Sequence, residues 1–287
     1  MSMSIRTNVA SLNAQRNLSS TQSSLDTSMA RLSSGYRITK AGDDAAGLGI
    51  STKLEAQIRS YNQAVRNAND GISVIQTTEA ALNNTANILT RLRELAMQSA
   101  SDGIGNSERS YIDKESTKLQ NEIDRIAQTT KFNGASLLDG SATTLDFHVG
   151  VEATTNDVIS FTTLDATTAH LFGAAVSLDL ATKAGSVSAL DVIDSALAEV
   201  SKARSELGAG GNRLQAAIST IQSFTEQLAA ANARIKDVDV AEETSAMARA
   251  NILQQAGVSV LAQANQQPQL ALKLIGSARS IHPPPLG

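Results

Sequence analysis

Stepping alternately by four and three from Leu54 meets Leu54, Ile58, Tyr61, Val65, Ala68, Ile72, Ile75, Glu79, Leu82, Ala86, Leu89, Arg93 and Ala96. Only Glu79 and Arg93 interrupt the apolar run. A 3.5-residue period held for about six heptads predicts one long helix with a coiled-coil-like seam. At about 1.5 Å per residue that helix is on the order of 65 Å long, more than an ordinary compact domain needs. The same stepping from Leu190 passes Ile193, Leu197, Val200, Leu207, Leu214, Ile218, Ile221, Leu228 and Ile235, with Phe224 and Ala231 flanking its polar slots. This predicts a second helix of matching length. Ser188 with Asp191 three residues later reads as its capping-box-like start. Gly208, Gly210 and Gly211 near its middle each cost up to about 1 kcal/mol relative to Ala, which points to close helix contact or a bend. Ile112, Leu119, Ile123 and Ile126, opened by Ser107 and Glu108 after the break at Gly103 to Gly105, add a third helix. Three helices predict a bundle.

Between Lys131 and Ser188 the period changes. Leu145, Phe147 and Val149 alternate with polar neighbours, and Val158 to Thr163 is β-branched or aromatic at most positions, so a small hairpin is expected. A lone hairpin needs the bundle beneath it for stability. The two ends form another pair. Leu18, Leu25, Met29, Leu32 and Tyr36 step by seven, four, three and four, with Gly35 as the C-terminal stop. Asp239 with Glu242 forms an N-cap, followed by Ala246, Ala250, Leu253, Gly257, Val260 and Ala264. Ser, Asn, Gln and Thr crowd the other faces, so each terminal helix is marginal alone and folds mainly when packed. The predicted fold class is mainly α: an elongated, coiled-coil-like helical bundle rod with a small β-hairpin region and a terminal helix pair. The terminal stripes have little of their own chain to cover them, so further subunits are the natural cover. Leu18, Leu25, Met29 and Leu32, with Leu253, Val260 and Ala264, are the candidate self-association seams. Contacts of the head-to-tail kind repeat without closing and give a helical filament.

Composition sharpens this reading. All four prolines stand at or beyond Pro268, which permits long uninterrupted helices before it. Aromatic residues make up 3% of the chain and Trp is absent, which argues against a thick core. Without Cys, disulfides, thiolate nucleophiles and Cys-ligated metals are excluded. No run of 18 apolar residues occurs, and Met1 to Leu18 has no apolar h-region, so neither a membrane span nor a secretory signal is expected. A net charge of -4 disfavours polyanion partners. The first 42 residues carry a formal +4, but Arg6, Arg16, Arg31, Arg37 and Lys40 are spread out rather than clustered with aromatics, so no nucleic-acid partner is expected. The segment from Asp237 to Gly276 carries a formal -2, and opposite signs favour pairing of the two ends.

Candidate chemistry is sparse. Gly42 to Gly47 has the glycine spacing of a phosphate loop, but Leu48 and Gly49 stand where Lys and Ser or Thr are needed. The segment reads as a polar connector in which Asp44 caps the long helix. His148, His170 and His282 have no second His at metal-binding helical spacing, and no Gly-x-Ser-x-Gly elbow occurs. Asp43 with Asp44 and Glu242 with Glu243 lie at helix N-termini, where compensation of the macrodipole accounts for them. No enzymatic activity, cofactor or metal is expected.

Several motifs carry a family resemblance. Ser11-Leu-Asn-Ala-Gln-Arg-Asn-Leu18, Leu32-Ser-Ser-Gly-Tyr-Arg-Ile38, Asp43-Asp-Ala-Ala-Gly47, Arg93-Glu-Leu-Ala96, Phe132-Asn-Gly134 and Ala233-Arg-Ile235 with Asp237-Val-Asp239 resemble bacterial flagellin. So do Asn251-Ile-Leu-Gln-Gln-Ala-Gly257, Leu261-Ala-Gln-Ala-Asn265 and Pro268-Gln-Leu270, and the similarity covers residues 4 to 140 and 189 to 276. The resemblance implies a hollow motility filament whose core domain is formed by residues 1–42 and 240–276. Residues 43–188 (two helices and the hairpin region) and 189–239 (the second long helix) form an outer rod, with little room for the variable outer domains of larger members. It also implies type III export without a cleavable signal, an extracellular location, and as partners an export chaperone, the filament cap and hook-associated proteins. Arg91, Leu95 and Glu115 fall where members recognised by the host flagellin-sensing Toll-like receptor carry Arg, Leu and Glu, while Thr90 replaces a common Gln. Arg91 and Leu95 are also i,i+4 neighbours suited to subunit packing. Two other readings stay open: a hook–filament junction protein, and a monomeric helical adaptor or adhesin. Residues 277–287 extend past the usual family end as a Pro-rich tail, extended and flexible by expectation.

Overall fold

The computed structural model describes residues 7–141, 144–173 and 178–279, with side chains in the last helix described as far as residue 266. The elements run α1 (Val9–Ser34), α2 (Ala45–Ser99), α3 (Asn106–Thr129), β1 (Lys131–Phe132), β2 (Ala135–Ser136), β3 (Thr144–His148), β4 (Val158–Thr162), α4 (Thr168–Leu171), α5 (Lys183–Lys236) and α6 (Val240–Arg279). The mainly α class, the two long helices and the small hairpin are as the periodicity predicts. The chain divides into two compact units, Met1–Glu55 with Ala229–Gly287 and Ala56–Leu228, so α2 and α5 each contribute to both. The predicted tail begins inside α6, and its residues 280–287 lie outside the described residues.

The larger unit is a three-helix core of α2, α3 and α5. Leu82, Leu89 and Leu92 of α2, Ile123 of α3, and Ile193, Val200 and Leu214 of α5 are fully buried. The buried face of α2 is wider than the predicted seam. A parallel row, Thr78, Thr85, Leu92 and Ser99, is buried as well, because α2 meets a helix on each of two sides. Its threonine hydroxyls are satisfied locally, Thr78 Oγ1 donating to Val74 O at 2.8 Å and Thr85 Oγ1 to Ala81 O at 3.2 Å, and Ser99 Oγ donates to Leu180 O at 2.6 Å. The two polar slots of the seam are cross-links at the rim, with Arg93 Nε 2.6 Å from Asp194 Oδ1 and Glu79 Oε1 3.9 Å from Arg204 Nη2. All four side chains are at least a third exposed, so these pairs favour orientation over stability.

Arg109 fastens the turn between α2 and α3. It is 8% exposed; its Nε donates to Ser99 O and its Nη2 to Ser101 O, each at 2.8 Å, while Nη1 reaches Asn106 Oδ1 at 3.2 Å. Carbonyls at a helix C-terminus lack intrahelical partners, and this guanidinium supplies them. Arg109→Met keeps the apolar stem and removes the donors. The expected cost is about 1–3 kcal/mol, chiefly from the carbonyl of buried Ser99 left without this partner, read as a lower midpoint in urea followed by helical circular dichroism.

Two local readings are corrected. Helix α5 starts at Lys183, not Ser188. Its first turn is closed by Thr182, whose Oγ1 accepts from Gly185 N at 3.1 Å, and Asp179 Oδ1 accepts from Ala181 N just before it. Buried Leu178 and Leu180 bring the chain to that point, so Ser188 falls inside the helix. The middle glycines do not interrupt α5, and of the three only Gly210 makes a close contact: a Cβ there would overlap the Phe161 ring of β4, with Cδ1 2.6 Å away. At Gly208 nothing lies within 4 Å.

The hairpin β3–β4 is antiparallel, Thr144 opposite Thr162 and His148 opposite Val158. It presses Phe147 and Phe161, 5.6 Å apart, onto glycines of the helices. Phe161 sits at Gly210, and Phe147 sits where a Cβ on Gly71 would be 3.1 Å from its ring. Asn67 Nδ2 donates to His148 O at 3.0 Å and fastens the strand end. A second, minimal hairpin, β1–β2, turns at Asn133 (φ 48°) and Gly134 (φ 86°), the left-handed pair that a type I′ turn requires.

Candidate self-association surface

The smaller unit is built on α1 and α6, which run antiparallel. Asn8 opens α1, its Oδ1 accepting from Ser11 N at 3.1 Å, and Gly35 closes it at φ 75° with its N–H on Arg31 O. Asp239 caps α6 as predicted, its Oδ1 accepting from Ala241 N and Glu242 N at 2.9 and 3.1 Å. Tyr36 is not the last turn of α1, because the left-handed Gly35 has already ended the helix. It bridges Asp237, flanked by Arg37 N to Lys236 O at 2.7 Å and Val238 N to Gly35 O at 3.1 Å. The Lys236 ammonium pairs with Glu55 and lies 4.4 Å from the centre of the Tyr36 ring, a cation–π contact. Its pKa is raised, chiefly by the hydrogen bond to Glu55.

The connector to α2 is held by its two aspartates. Asp43 Oδ2 accepts from Thr39 N, Lys40 N and Thr39 Oγ1, and these donors, the Thr39 amide foremost, hold its carboxyl below the ordinary 3.8. Asp44 Oδ1 accepts from Gly47 N at 2.8 Å, which is the predicted cap of α2.

The candidate seam residues fall on two different faces. Leu18, Leu25 and Leu32 of α1 are half-buried against α6, in line with Ser11, Ala14 and Ser28, which are buried. Ala264 of α6 is buried too, as is Ala250, and Gly257 meets Leu18: a Cβ there would stand 3.3 Å from Leu18 Cδ1. Met29, Leu253 and Val260 point away from this pairing and are 58%, 59% and 56% exposed. They are joined outside by Val9 and Leu12 on α1 and by Val240, Ile252 and Val258 on α6, side chains that the single stepping passed over. The helix pair thus buries small residues, half-buries the leucines of α1, and leaves further aliphatic side chains of both helices in water. Exposed apolar side chains in such numbers mark interaction sites. The charge asymmetry read in the sequence has a local counterpart in Arg31 and Glu243, 3.7 Å apart.

The second candidate group lies in the larger unit. Arg91 and Glu115 are brought together across α2 and α3, with Nη2 to Oε1 at 2.9 Å, and both are about half exposed. Arg91 also donates to Glu94 at 3.0 Å, and the hydrogen bonds to Glu115 and then Glu94 hold its guanidinium more firmly charged. Leu95 is not part of that surface: it is 2% exposed, in the core of the larger unit. Among the described residues no group of three or more His, Asp or Glu converges as metal ligands would, and no helix is long and apolar enough to cross a membrane.

Comparison with known proteins agrees with this architecture. Residues 5–143 match the bacterial flagellin N-terminal helical region, and residues 190–275 match the bacterial flagellin C-terminal helical region. A flagellin of Halalkalibacterium halodurans is 43% identical over 273 residues, which span 95% of this chain and 100% of that protein. Polar flagellin A of Vibrio parahaemolyticus is 34% identical, with 96% of this chain and 100% of its own length aligned. That alignment runs over 376 positions against 287 residues here, so the Vibrio protein has segments this chain lacks. Among solved structures, a putative flagellar hook-associated protein from Vibrio parahaemolyticus shares the fold, with a TM-score of 0.57 at 14% identity over 68% of this chain and 100% of that one. The crystal structure of Bacillus cereus flagellin aligns with a TM-score of 0.49 at 30% identity over 58% of this chain and 94% of that one. With both helical regions matched and a 43% identical flagellin aligned from end to end, the chain belongs to the bacterial flagellin family, the structural subunits of the extracellular flagellar filament.

Proposed function

We propose that this flagellin polymerises head-to-tail through the outward side of its α1–α6 pair, with no catalytic step. The supporting observation is the set of bulky aliphatic side chains, Met29 on α1 and Ile252, Leu253, Val258 and Val260 on α6, that the isolated chain leaves more than half exposed. Burying what is still exposed of each in a neighbouring copy contributes about 1–2 kcal/mol before association costs. Contacts between unlike patches repeat without closure, which is how a subunit becomes a filament. Before assembly the same stripe needs cover, and this is the surface an export chaperone would shield after synthesis and the cap would receive at the growing tip. Hook-associated proteins, as neighbours at the filament base, would meet the same kind of face.

Recognition by the flagellin-sensing Toll-like receptor is a second reading, favoured by the exposed Arg91–Glu115 pair. Leu95 would then act from beneath, by holding α2 against α3, and not as a contact. The hook–filament junction and monomeric adaptor readings differ from the main one in polymer length. A chain lacking residues 1–42 or 240–287 is expected to keep most of its helical circular dichroism, because α3, most of α2 and most of α5 remain, yet to give no long filaments by electron microscopy after seeding. Filaments from either truncated chain would overturn the proposal, and an intact chain that stays monomeric at high concentration would favour the adaptor.

A further inference from the structure

The face that α1 turns to α6 repeats every seven residues: Ser11, Leu18, Leu25 and Leu32 form one row, with Ala14, Thr21 and Ser28 beside it, all buried or half-buried. Helix α6 answers with Glu243, Ala250, Gly257 and Ala264 in one row and Met247, Gln254 and Leu261 in the other. In the observed register Leu18 meets Gly257, which places Leu25 level with Ala250 and Ser11 level with Ala264. A slide of one heptad, about 10 Å, would again set leucines against Ala or Gly. The apolar seam therefore discriminates poorly between registers, since small residues form no holes that a particular knob must fill.

Polar contacts discriminate well. Ser11 Oγ donates to Asn265 Oδ1 at 2.8 Å and Gln254 Nε2 to Gln22 Oε1, and Arg31 faces Glu243, whereas the bond from Asn8 Nδ2 to Ala264 O, at 2.8 Å, takes a backbone carbonyl that any register supplies. Seven residues to either side of Asn265 stand Val258 and Leu272; to either side of Gln254, Met247 and Leu261; to either side of Glu243, Lys236 and Ala250. None of these offers the missing partner, and Lys236 would repel Arg31.

We propose that these clamps, spread along the pair, are a register lock: they hold α1 and α6 against a heptad slide that the small-residue seam would otherwise permit. The cost is a seam of low apolar volume, and the gain is one fixed alignment of the outward aliphatic side chains on the two helices. The proposal concerns the chain's own helix pair and does not depend on the filament reading. The rival to the clamps is the Tyr36–Asp237 bridge at one end, which could set the register by itself.

The chain has no cysteine, so introduced pairs report register without background. With Leu25→Cys and Ala250→Cys, a short bismaleimide should link the full-length chain efficiently. With Leu25→Cys and Gly257→Cys it should not. In a background of Ser11→Ala, Gln22→Ala and Arg31→Ala, the 25–257 link should rise by about tenfold, the shift in equilibrium expected from losing one ordinary hydrogen bond or more. A 25–257 yield unchanged in that background, with the 25–250 link persisting, would overturn the proposal and assign the register to the bridge. As a check that does not risk unfolding, Arg31→Glu should weaken the 25–250 link, and adding Glu243→Arg should restore it. Failure of the reversed pair to restore it would count against the lock. Filament formation is scored separately on each chain, so a failure to assemble with the native cross-link pattern intact would bear on the proposed function alone.

Discussion

Replacing Gly210 with Ala is expected to destabilise the protein by about 1–3 kcal/mol, against the helix propensity scale, which favours Ala by about 1 kcal/mol at an interior helical position. The sign follows from the neighbour. A methyl group at Gly210 would overlap the Phe161 ring, which is itself 6% exposed and packed near Phe147, so the ring cannot yield without lifting β4 from α5. Gly208, on the same helix with nothing within 4 Å, is the internal control: Gly208→Ala should stabilise by about 0.5–1 kcal/mol. The pair of results separates a propensity effect from a packing effect, because both substitutions are chemically identical and two residues apart. Denaturant midpoints by circular dichroism measure both. Amide exchange at Ile159 and Phe161 tests whether the loss in Gly210→Ala is confined to the hairpin. A Gly210→Ala chain as stable as Gly208→Ala would mean that the hairpin does not rest on α5 as described.

The same contact shows what the sequence revealed and where it stopped. Long helices were legible because neither a strand nor a loop sustains a 3.5-residue period over six heptads. The caps at Asp44 and Asp239 were legible because a side-chain oxygen just before a helix has one obvious use. The glycine cluster in α5 signalled a close approach without naming its partner, since the aromatic that fills the notch lies about fifty residues earlier. Thr78, Thr85 and Ser99 were invisible as core, because a hydroxyl that bonds a carbonyl of its own helix or of a neighbouring segment is buried at little cost although its type reads as polar. In α6 the difficulty was one of phase. Ala250, Gly257 and Ala264 belong both to the stepping that includes Leu253 and Val260 and to the one that includes Gln254 and Leu261, and only the second faces α1. Ranking residues by hydrophobicity chose the first, since Leu and Val outrank Gln. The pair packs through the set that includes Gln254, so Leu253 and Val260 are left outside.

Leu253→Glu combined with Val260→Glu should abolish filament growth at concentrations where the parent chain polymerises, while leaving the subunit folded. Both side chains are more than half exposed on α6 and face away from α1, so their loss removes little from the chain's own packing, and Glu is a good helix former at an exposed position. In a filament each would be buried once per subunit. Losing two such burials, at about 1–2 kcal/mol each for side chains already partly covered, raises the critical concentration by roughly thirty- to a thousandfold, and two carboxylates facing an apolar neighbour raise it further. The contrast is with Ala250→Glu and Ala264→Glu, which place charge on the face that α6 shares with α1 and should unfold the helix pair itself, lowering helicity before any question of assembly arises. Sedimentation and electron microscopy read the first outcome and circular dichroism the second. If the Leu253 and Val260 substitutions left the critical concentration unchanged, that side of α6 would not be buried in the polymer, and Ile252 and Val258 of α6 with Val9, Leu12 and Met29 of α1 would have to account for the contact.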